Sequence, residues 1–568
     1  MSPAIPVITA GLRPDLFSQI GTRSLGRALL ATGLSLFVLA GLGFRVIGLS
    51  KEGLSEDELN KLNAVTDYRA HGLTSANGEH PLLMKAALTL SVIVTERWNQ
   101  TSLVADHPEM NVPIETSLRL PGAFLGALSA VLVFLIAMEL FGLEMGLISA
   151  ALWSFDPLTI SFNRIAKEDT FLVFFFLLAN FFWLRGQRAA ESQPHRNPGR
   201  FYWAAAAAFG AMLASKYVPQ LFAISVGYYY VFQRIPTTRW RLGKKKFLKF
   251  FIVMGVAFLV FNPTILLPGT WRTIFNFAGY RMMGHDSYEF IGRLYPHRMA
   301  DWLRGEPWYF YFVLLGTKLP LPALAGFVLG GVLLFRRSMG DGRYFLLFWL
   351  FFWGLTFIFT GGKFTRYATS LMPAVIITAA LGIQFAARKF GQLCRRVFDS
   401  GPVGVYASAA VVSLAIISTL WSSASAEPHF RLYMNSVSGG QARAGANFPQ
   451  DEFYDAYMQD AMREIAARAR PGAHIATEIP LLSDYYAKRA GRTDLICVEV
   501  SDRAELAKLT PGDFLIDARG RTYFSNQAML MRMREAGNPA LSIPVGATPA
   551  ADIYILDEVS LAALRGTR

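Results

Sequence analysis

The sequence predicts an α-helical polytopic membrane protein with a soluble α/β domain at its C-terminal end. Three observations carry this. The 568 residues are 53% hydrophobic and only 17% charged, too little polar surface for a soluble chain of this size. About eleven apolar runs approach the roughly 20 residues that a helical span needs. After about residue 425 the pattern changes to short β-rich runs between polar helical stretches.

The runs lie at about 28–48, 118–141, 144–162, 169–186, 201–214, 217–233, 248–268, 307–335, 344–361, 369–388 and 402–424. The loops test the count. Arg13, Arg23 and Arg27 precede the first run, and later clusters are Arg185/Arg188/Arg196/Arg200, Arg234 through Lys249, Arg336/Arg337/Arg343 and Arg388/Lys389/Arg395/Arg396. All share one side if eleven spans alternate, and the positive-inside rule makes that side cytoplasmic. Topology control therefore accounts for the net charge of +14 without nucleic acid. The first run lacks a small-x-small cleavage site and reads as an anchor. Cys394 and Cys497 fall on opposite sides of the membrane, so no disulfide is expected.

The opposite side receives the loops 49–117 and 269–306 and the domain 425–568, leaving 1–424 as the membrane domain. Residues 80–98 are apolar but short, with Lys85 inside, and read as a helix lying on the outer interface. In the tail, β-rich runs at His474–Glu478, Asp494–Val500, Asp513–Ile516 and Asp552–Leu556 alternate with helical stretches at about 452–469, 502–508 and 525–536. No dinucleotide-type glycine-rich loop occurs there.

Chemistry concentrates at the outer rim. Glu56-Asp57-Glu58 follows the first span, and Gly78-Glu79-His80-Pro81-Leu82-Leu83-Met84-Lys85 comes soon after. Arg119, Asp156, Arg164, Lys167, Glu168, Asp169, Lys216, His285, Asp286, Lys318, Lys363 and Arg366 fall on the same rim. Any one of these reads alone as a snorkelled anchor or solvated loop charge. Mixed acids and bases on one rim read as a polar cavity, whose bases hold a phosphate and whose acids activate a hydroxyl. Asp57 and Glu58 are neighbours and diverge on a helix, so they serve different targets. A transporter would place its polar groups near the midplane, which is not this pattern.

The order of these motifs, with Arg119-Leu120-Pro121 and the later Asn163-Arg164 and Asp169, resembles the protein O-mannosyltransferase family and its bacterial relatives, the aminoarabinose transferases of lipid A. These are GT-C-type glycosyltransferases that use polyprenyl-phosphate sugars. The resemblance covers about residues 50–220 by motif and 220–425 by layout. Leu82 and Met84 replace a proline and a glycine of the family pattern, Asn163 replaces a serine, and the tail is not the β-trefoil of the eukaryotic enzymes.

The resemblance implies a bacterial inner-membrane enzyme. It would move a hexose or pentose such as mannose, with inversion, from a polyprenyl-phosphate sugar to a hydroxyl of a protein, of lipid A or of a surface polysaccharide. It implies Asp57 as general base with Glu58 and Arg119 in support. Arg164 is the first candidate for the lipid phosphate, then Lys85, Lys363 and Arg366. His80, Lys216 and His285 line the substrate site, with Asp169 holding Arg164. No cofactor is expected; a divalent metal on carboxylates with His80 or His285 is chemically possible but not favoured.

Overall fold

The computed structural model describes residues 24–192, 198–218, 221–227, 244–279 and 285–566. The expected span at 217–233 and the basic residues Arg13, Arg23, Arg196 and Arg234 lie wholly or mostly outside these residues.

Five described helices are long and apolar enough to cross a membrane. They are α1 (Ser24–Val46), α4 (Ile114–Phe141), α7 (Glu168–Ser192), α14 (Met372–Val397) and α15 (Gly401–Ala426). Between α1 and α4 come α2 (Glu56–His71) and α3 (Leu82–Asn99), the two main helices of the first long loop. A bent pair, α5 (Leu143–Phe155) and α6 (Pro157–Asn163), counts as a sixth span if taken as one, with a bend of 62°. Pro157 supplies the break, because it cannot donate within the preceding helix.

The other expected spans are shorter or divided. Helices α8 (Gly199–Leu213), α9 (Lys244–Phe261) and α13 (Gly342–Phe357) replace the runs at 201–214, 248–268 and 344–361. After α9 come α10 (Pro268–Gly279) and the hairpin β1 (Ser287–Phe290) and β2 (Arg293–Pro296). The run at 307–335 is broken at Leu319-Pro320 into α11 (Phe310–Lys318) and α12 (Leu321–Leu334).

Packing inside the bundle is close. A Cβ on Gly330 would lie 1.9 Å from the Thr378 carbonyl, and one on Gly382 2.0 Å from that of Gly326. Helices α12 and α14 therefore touch backbone to backbone, which small residues permit in membranes. Arg185 and Arg188 each pair with Glu139 at 2.6 Å, and Arg388 pairs with Glu144 at 2.7 Å. These pairs tie together one end of α4, α5, α7 and α14, opposite the end where α2 sits.

The C-terminal region carries a five-stranded sheet in the order β4-β3-β5-β7-β6. Its strands are β3 (His474–Thr477), β4 (Ile496–Glu499), β5 (Phe514–Ala518), β6 (Leu541–Val545) and β7 (Thr548–Ile555). β3 runs parallel to β4 and β5, while β7 is antiparallel to both its neighbours. Alternation sets the two faces. Ile475, Phe514, Ile516 and Ile553 enter one apolar cluster, whereas Ala476, Leu515 and Tyr554 enter another. The first cluster does not end at the C-terminal region: it continues through Met458, Met462 and Tyr486 into Leu54, Leu59 and Val65 around α2 and Met84, Leu88 and Val92 of α3.

Candidate active site

The site is built at the N-termini of two helices. Ser55 caps α2, accepting from the Glu58 N–H, while the Glu58 carboxylate accepts from the Ser55 N–H at 3.0 Å. This capping box starts the helix so that Asp57 and Glu58 leave it in different directions. Helix α7 opens with Glu168 and Asp169 in its first turn, where the helix dipole favours negative charge.

Glu58 is sealed. Arg119 donates to its two oxygens at 2.8 and 2.6 Å, and the Ala166 N–H adds a third bond at 2.9 Å. The remaining Arg119 donors reach the carbonyls of Leu49, Glu52 and Gly53 at 2.6–2.8 Å. The Glu58 side chain has 0% exposure. Burial alone would raise its pKa, but Arg119 overrides that and holds it below the ordinary value. The pair clamps the 49–58 segment to α4 and to the 164–167 turn.

Asp57 is open. Its side chain keeps 37% exposure while Lys167 Nζ approaches Oδ2 at 2.7 Å and Arg366 approaches the same oxygen at 3.9 Å. The Tyr454 hydroxyl donates to Oδ2 at 3.1 Å. Among the described residues no hydrogen bond reaches Oδ1. Burial would raise this carboxyl, but Lys167 and then Arg366 hold it well below the usual carboxylate range. It is an anion with one oxygen held and the other available.

A second polar layer adjoins it. Lys61 Nζ lies 2.8 Å from Glu168 Oε1 and donates to Asn77 at 2.5 Å. His80 Nδ1 lies 3.4 Å from the same Glu168 oxygen. Burial pushes the His80 pKa well below its usual value, so its ring is neutral. Lys216 pairs with Asp169 at 2.6 Å and lies over the Tyr367 ring at 5.0 Å. Arg366 stacks on Phe364 at 3.8 Å, and its nearest carboxylate oxygens, on Asp57 and Asp451, are 3.9 and 3.8 Å away. Asp57, His80, Lys216 and Arg366 are the members with open surface, at 37, 22, 20 and 14%.

The structure sends other expected residues elsewhere. Arg164 donates to the carbonyls of Phe44, Ile47 and Gly48 at 2.7–3.0 Å and lies over Phe430, so it caps the end of α1. Asp169 does not hold it; Lys216 is its partner. Lys85 spends its ammonium on the carbonyls of Ala76, Asn77 and His80 at 2.7–3.1 Å. Lys363 donates to the carbonyls of Glu306, at 2.6 Å, and Thr360. In each case backbone oxygens left over at turns and helix ends take the charge. His285 stacks on Tyr523 at 4.0 Å and accepts from Arg521 at 2.9 Å on Nε2. Burial, then Arg521, push its pKa down to about 3, so the ring is neutral and carries its proton on Nδ1. Cys394 and Cys497 are both free thiols. Among the described residues no three His, Cys, Asp or Glu side chains converge as a metal site would need.

Four site members were not singled out by sequence reading: Lys61, Tyr454, Asp451 and Lys167 as a direct partner of Asp57. Lys61 follows Asp57 by four positions on one helix face, a spacing that could have marked it. Nothing in the sequence links Tyr454 to Asp57.

Residues 111–266 match the family model described as dolichyl-phosphate-mannose-protein mannosyltransferase. The archaeal oligosaccharyltransferase AglB from Archaeoglobus fulgidus, solved with an inhibitory peptide and a dolichol-phosphate, shares the fold. It aligns with a TM-score of 0.53 at 10% identity, over 87% of this chain and 70% of that one. The chain thus shares the fold of that oligosaccharyltransferase, and its segment 111–266 is similar to the mannosyltransferase family. ArnT from Cupriavidus metallidurans in the apo state aligns over 92% of this chain and 98% of its own, at 14% identity and a TM-score of 0.48. No curated protein matches this chain in sequence. The matched segment contains Arg119 and the 164–169 turn, so it holds the wall on which Asp57 rests.

Proposed function

We propose that the transferase moves a sugar from a polyprenyl-phosphate donor to a hydroxyl acceptor with inversion, on the outer face of a bacterial inner membrane. The acceptor is a hydroxyl of a protein, lipid A or a surface polysaccharide. One observation carries the reading: Asp57 is an ionised carboxylate whose Oδ2 is held and whose Oδ1 is open, beside cations with open surface of their own.

Asp57 Oδ1 accepts the proton of the acceptor hydroxyl as its oxygen bonds to the anomeric carbon. The bond from that carbon to the phosphate oxygen breaks on the opposite face, through an oxocarbenium-like state. The polyprenyl phosphate leaves with an added negative charge and needs no acid. It needs fixed positive charge where that oxygen sits. Arg366 and Lys216 supply it, since Arg366 has no hydrogen bond of ordinary length among the described residues and both side chains reach open surface. Dolichol-phosphate bound to the archaeal relative is a polyprenyl phosphate of the same kind. The arginine-rich opposite end of the bundle supports an outward-facing site by the positive-inside rule.

The test is release of polyprenyl phosphate by detergent-purified protein supplied with polyprenyl-phosphate sugars and hydroxyl acceptors. Asp57→Asn is expected to lower release about 10²–10⁴-fold while leaving lipid binding intact. Turnover by Asp57→Asn at the wild-type rate would remove Asp57 as base, and failure of every polyprenyl-phosphate sugar to bind or react would remove the donor class.

A further inference from the structure

The segment Asp451-Glu452-Phe453-Tyr454-Asp455 precedes the C-terminal sheet yet faces the membrane-side catalytic carboxylate. Two consecutive non-glycine residues in it adopt left-handed backbone, Tyr454 at φ 47° and Asp455 at φ 61°. Such conformations persist only where the surroundings over-determine them, and here six residues from separate parts of the chain do so. Asp451 accepts from the Thr365 N–H at 2.6 Å and the Tyr288 hydroxyl at 3.0 Å. Glu452 pairs with the buried Lys318. Asp455 takes two bonds from Arg521, at 2.9 and 2.5 Å, and accepts from the Glu56 N–H at 3.1 Å. Arg431 lies over the Tyr454 ring at 5.4 Å.

The result of this strained turn is specific. It puts the Tyr454 hydroxyl 3.1 Å from Asp57 Oδ2, across 397 positions of sequence. Asp451 in the same segment is 3.8 Å from Arg366, the cation that also faces Asp57. An aspartate with two freely rotating oxygens would present either one, or neither, to an acceptor.

We infer that Tyr454 is a positioning residue of the transfer reaction, its hydroxyl fixing Asp57 Oδ2 so that Oδ1 faces the acceptor. The inference rests on the reading of Asp57 as the base. It also gives the C-terminal region a part in the chemistry of the membrane domain: the site is incomplete without residues 451–455.

The test uses the full-length protein in detergent, with polyprenyl-phosphate mannose and polyprenyl-phosphate aminoarabinose as donors and polyprenyl phosphate as binding probe. Tyr454→Phe keeps the ring under Arg431 and removes only the hydroxyl. It is expected to lower kcat about 10-fold or more, since a hydrogen bond to a charged group is lost. The donor KM, the affinity for polyprenyl phosphate and the unfolding midpoint are expected to stay at their wild-type values. In an Asp57→Asn background the same change is expected to have no further effect, because there is no longer a base to orient. Wild-type kcat in Tyr454→Phe overturns the inference, and so does a fall in kcat matched by a fall in the unfolding midpoint. If Asp57→Asn itself turns over normally, or if neither donor reacts, the reading of Asp57 fails and takes the tyrosine with it. If Asp57→Asn is dead and Tyr454→Phe is normal, only the tyrosine is lost.

Discussion

Asp57 and Glu58 are adjacent carboxylates on one helix, and their surroundings differ in almost every respect. Around Glu58 every donor is satisfied: Arg119 places all its N–H groups on the carboxylate and three carbonyls, and no surface is open. Around Asp57 the cations are close but incompletely used, and 37% of the side chain is open. The difference teaches that charge density alone does not separate the two carboxylates. What separates Asp57, the proposed base, is that it is held on one side only.

The comparison can be broken from either end. Asp57→Asn is nearly isosteric and is expected to cost about 10²–10⁴ in turnover; it also takes the counter-ion from buried Lys167, so the unfolding midpoint is expected to fall, by less than in Glu58→Ala. Glu58→Ala leaves Arg119 buried without its counter-ion, so a loss of about 3–5 kcal/mol is expected in unfolding free energy, read by denaturation in detergent. Protein of that variant that stays folded is expected to bind polyprenyl phosphate as wild type does.

Smaller effects sharpen the same line. Arg366→Gln is expected to lower turnover about 10–100-fold by removing charge at the leaving oxygen, with the unfolding midpoint nearly unchanged. Arg164→Met is expected to do the opposite, costing about 1–3 kcal/mol of stability through carbonyls left unpaired and sparing the affinity for polyprenyl phosphate. Matching kinetic losses in both variants would erase the distinction drawn between them.

The smallest effect is a null in the pH profile. Asp57 is held well below its ordinary pKa, mainly by Lys167 and Arg366 acting against burial. A carboxylate with a depressed folded pKa contributes stability that is complete above its unfolded value of roughly 3.9 and is lost only as pH falls through the folded value. Between about pH 5 and 8 neither stability nor turnover should change on account of Asp57. An acid limb in that range that vanishes in Asp57→Asn would show that the cations do not hold it as described.

Much of this was legible in the sequence, and the gaps have physical causes. The Ser55-x-x-Glu58 pattern is a helix start in itself, and helical geometry requires the two carboxylates beside it to diverge. Strands formed where short apolar runs stood between Pro-Gly turns, as at His474–Thr477 and Phe514–Ala518. For Arg164, Lys85 and Lys363, sidedness and charge reveal where a cation lies but not that carbonyls take its donors. The run at 307–335 misled through hydropathy, which does not register the break that Pro320 makes. Tyr454 was invisible: a neutral side chain in a different region reaches Asp57 only through a left-handed turn that no local pattern announces.

The apolar cluster that joins the first loop to the C-terminal region also sets a schedule. Asp57 leaves the ribosome 397 residues before Tyr454, an interval of about 20–80 s at ordinary rates of synthesis. During it Leu59, Val65 and Leu88 lack the Met458, Met462 and Tyr486 surface they finally pack against. A chain cut short before residue 454 carries the whole carboxylate motif without the hydroxyl that reaches Asp57 Oδ2.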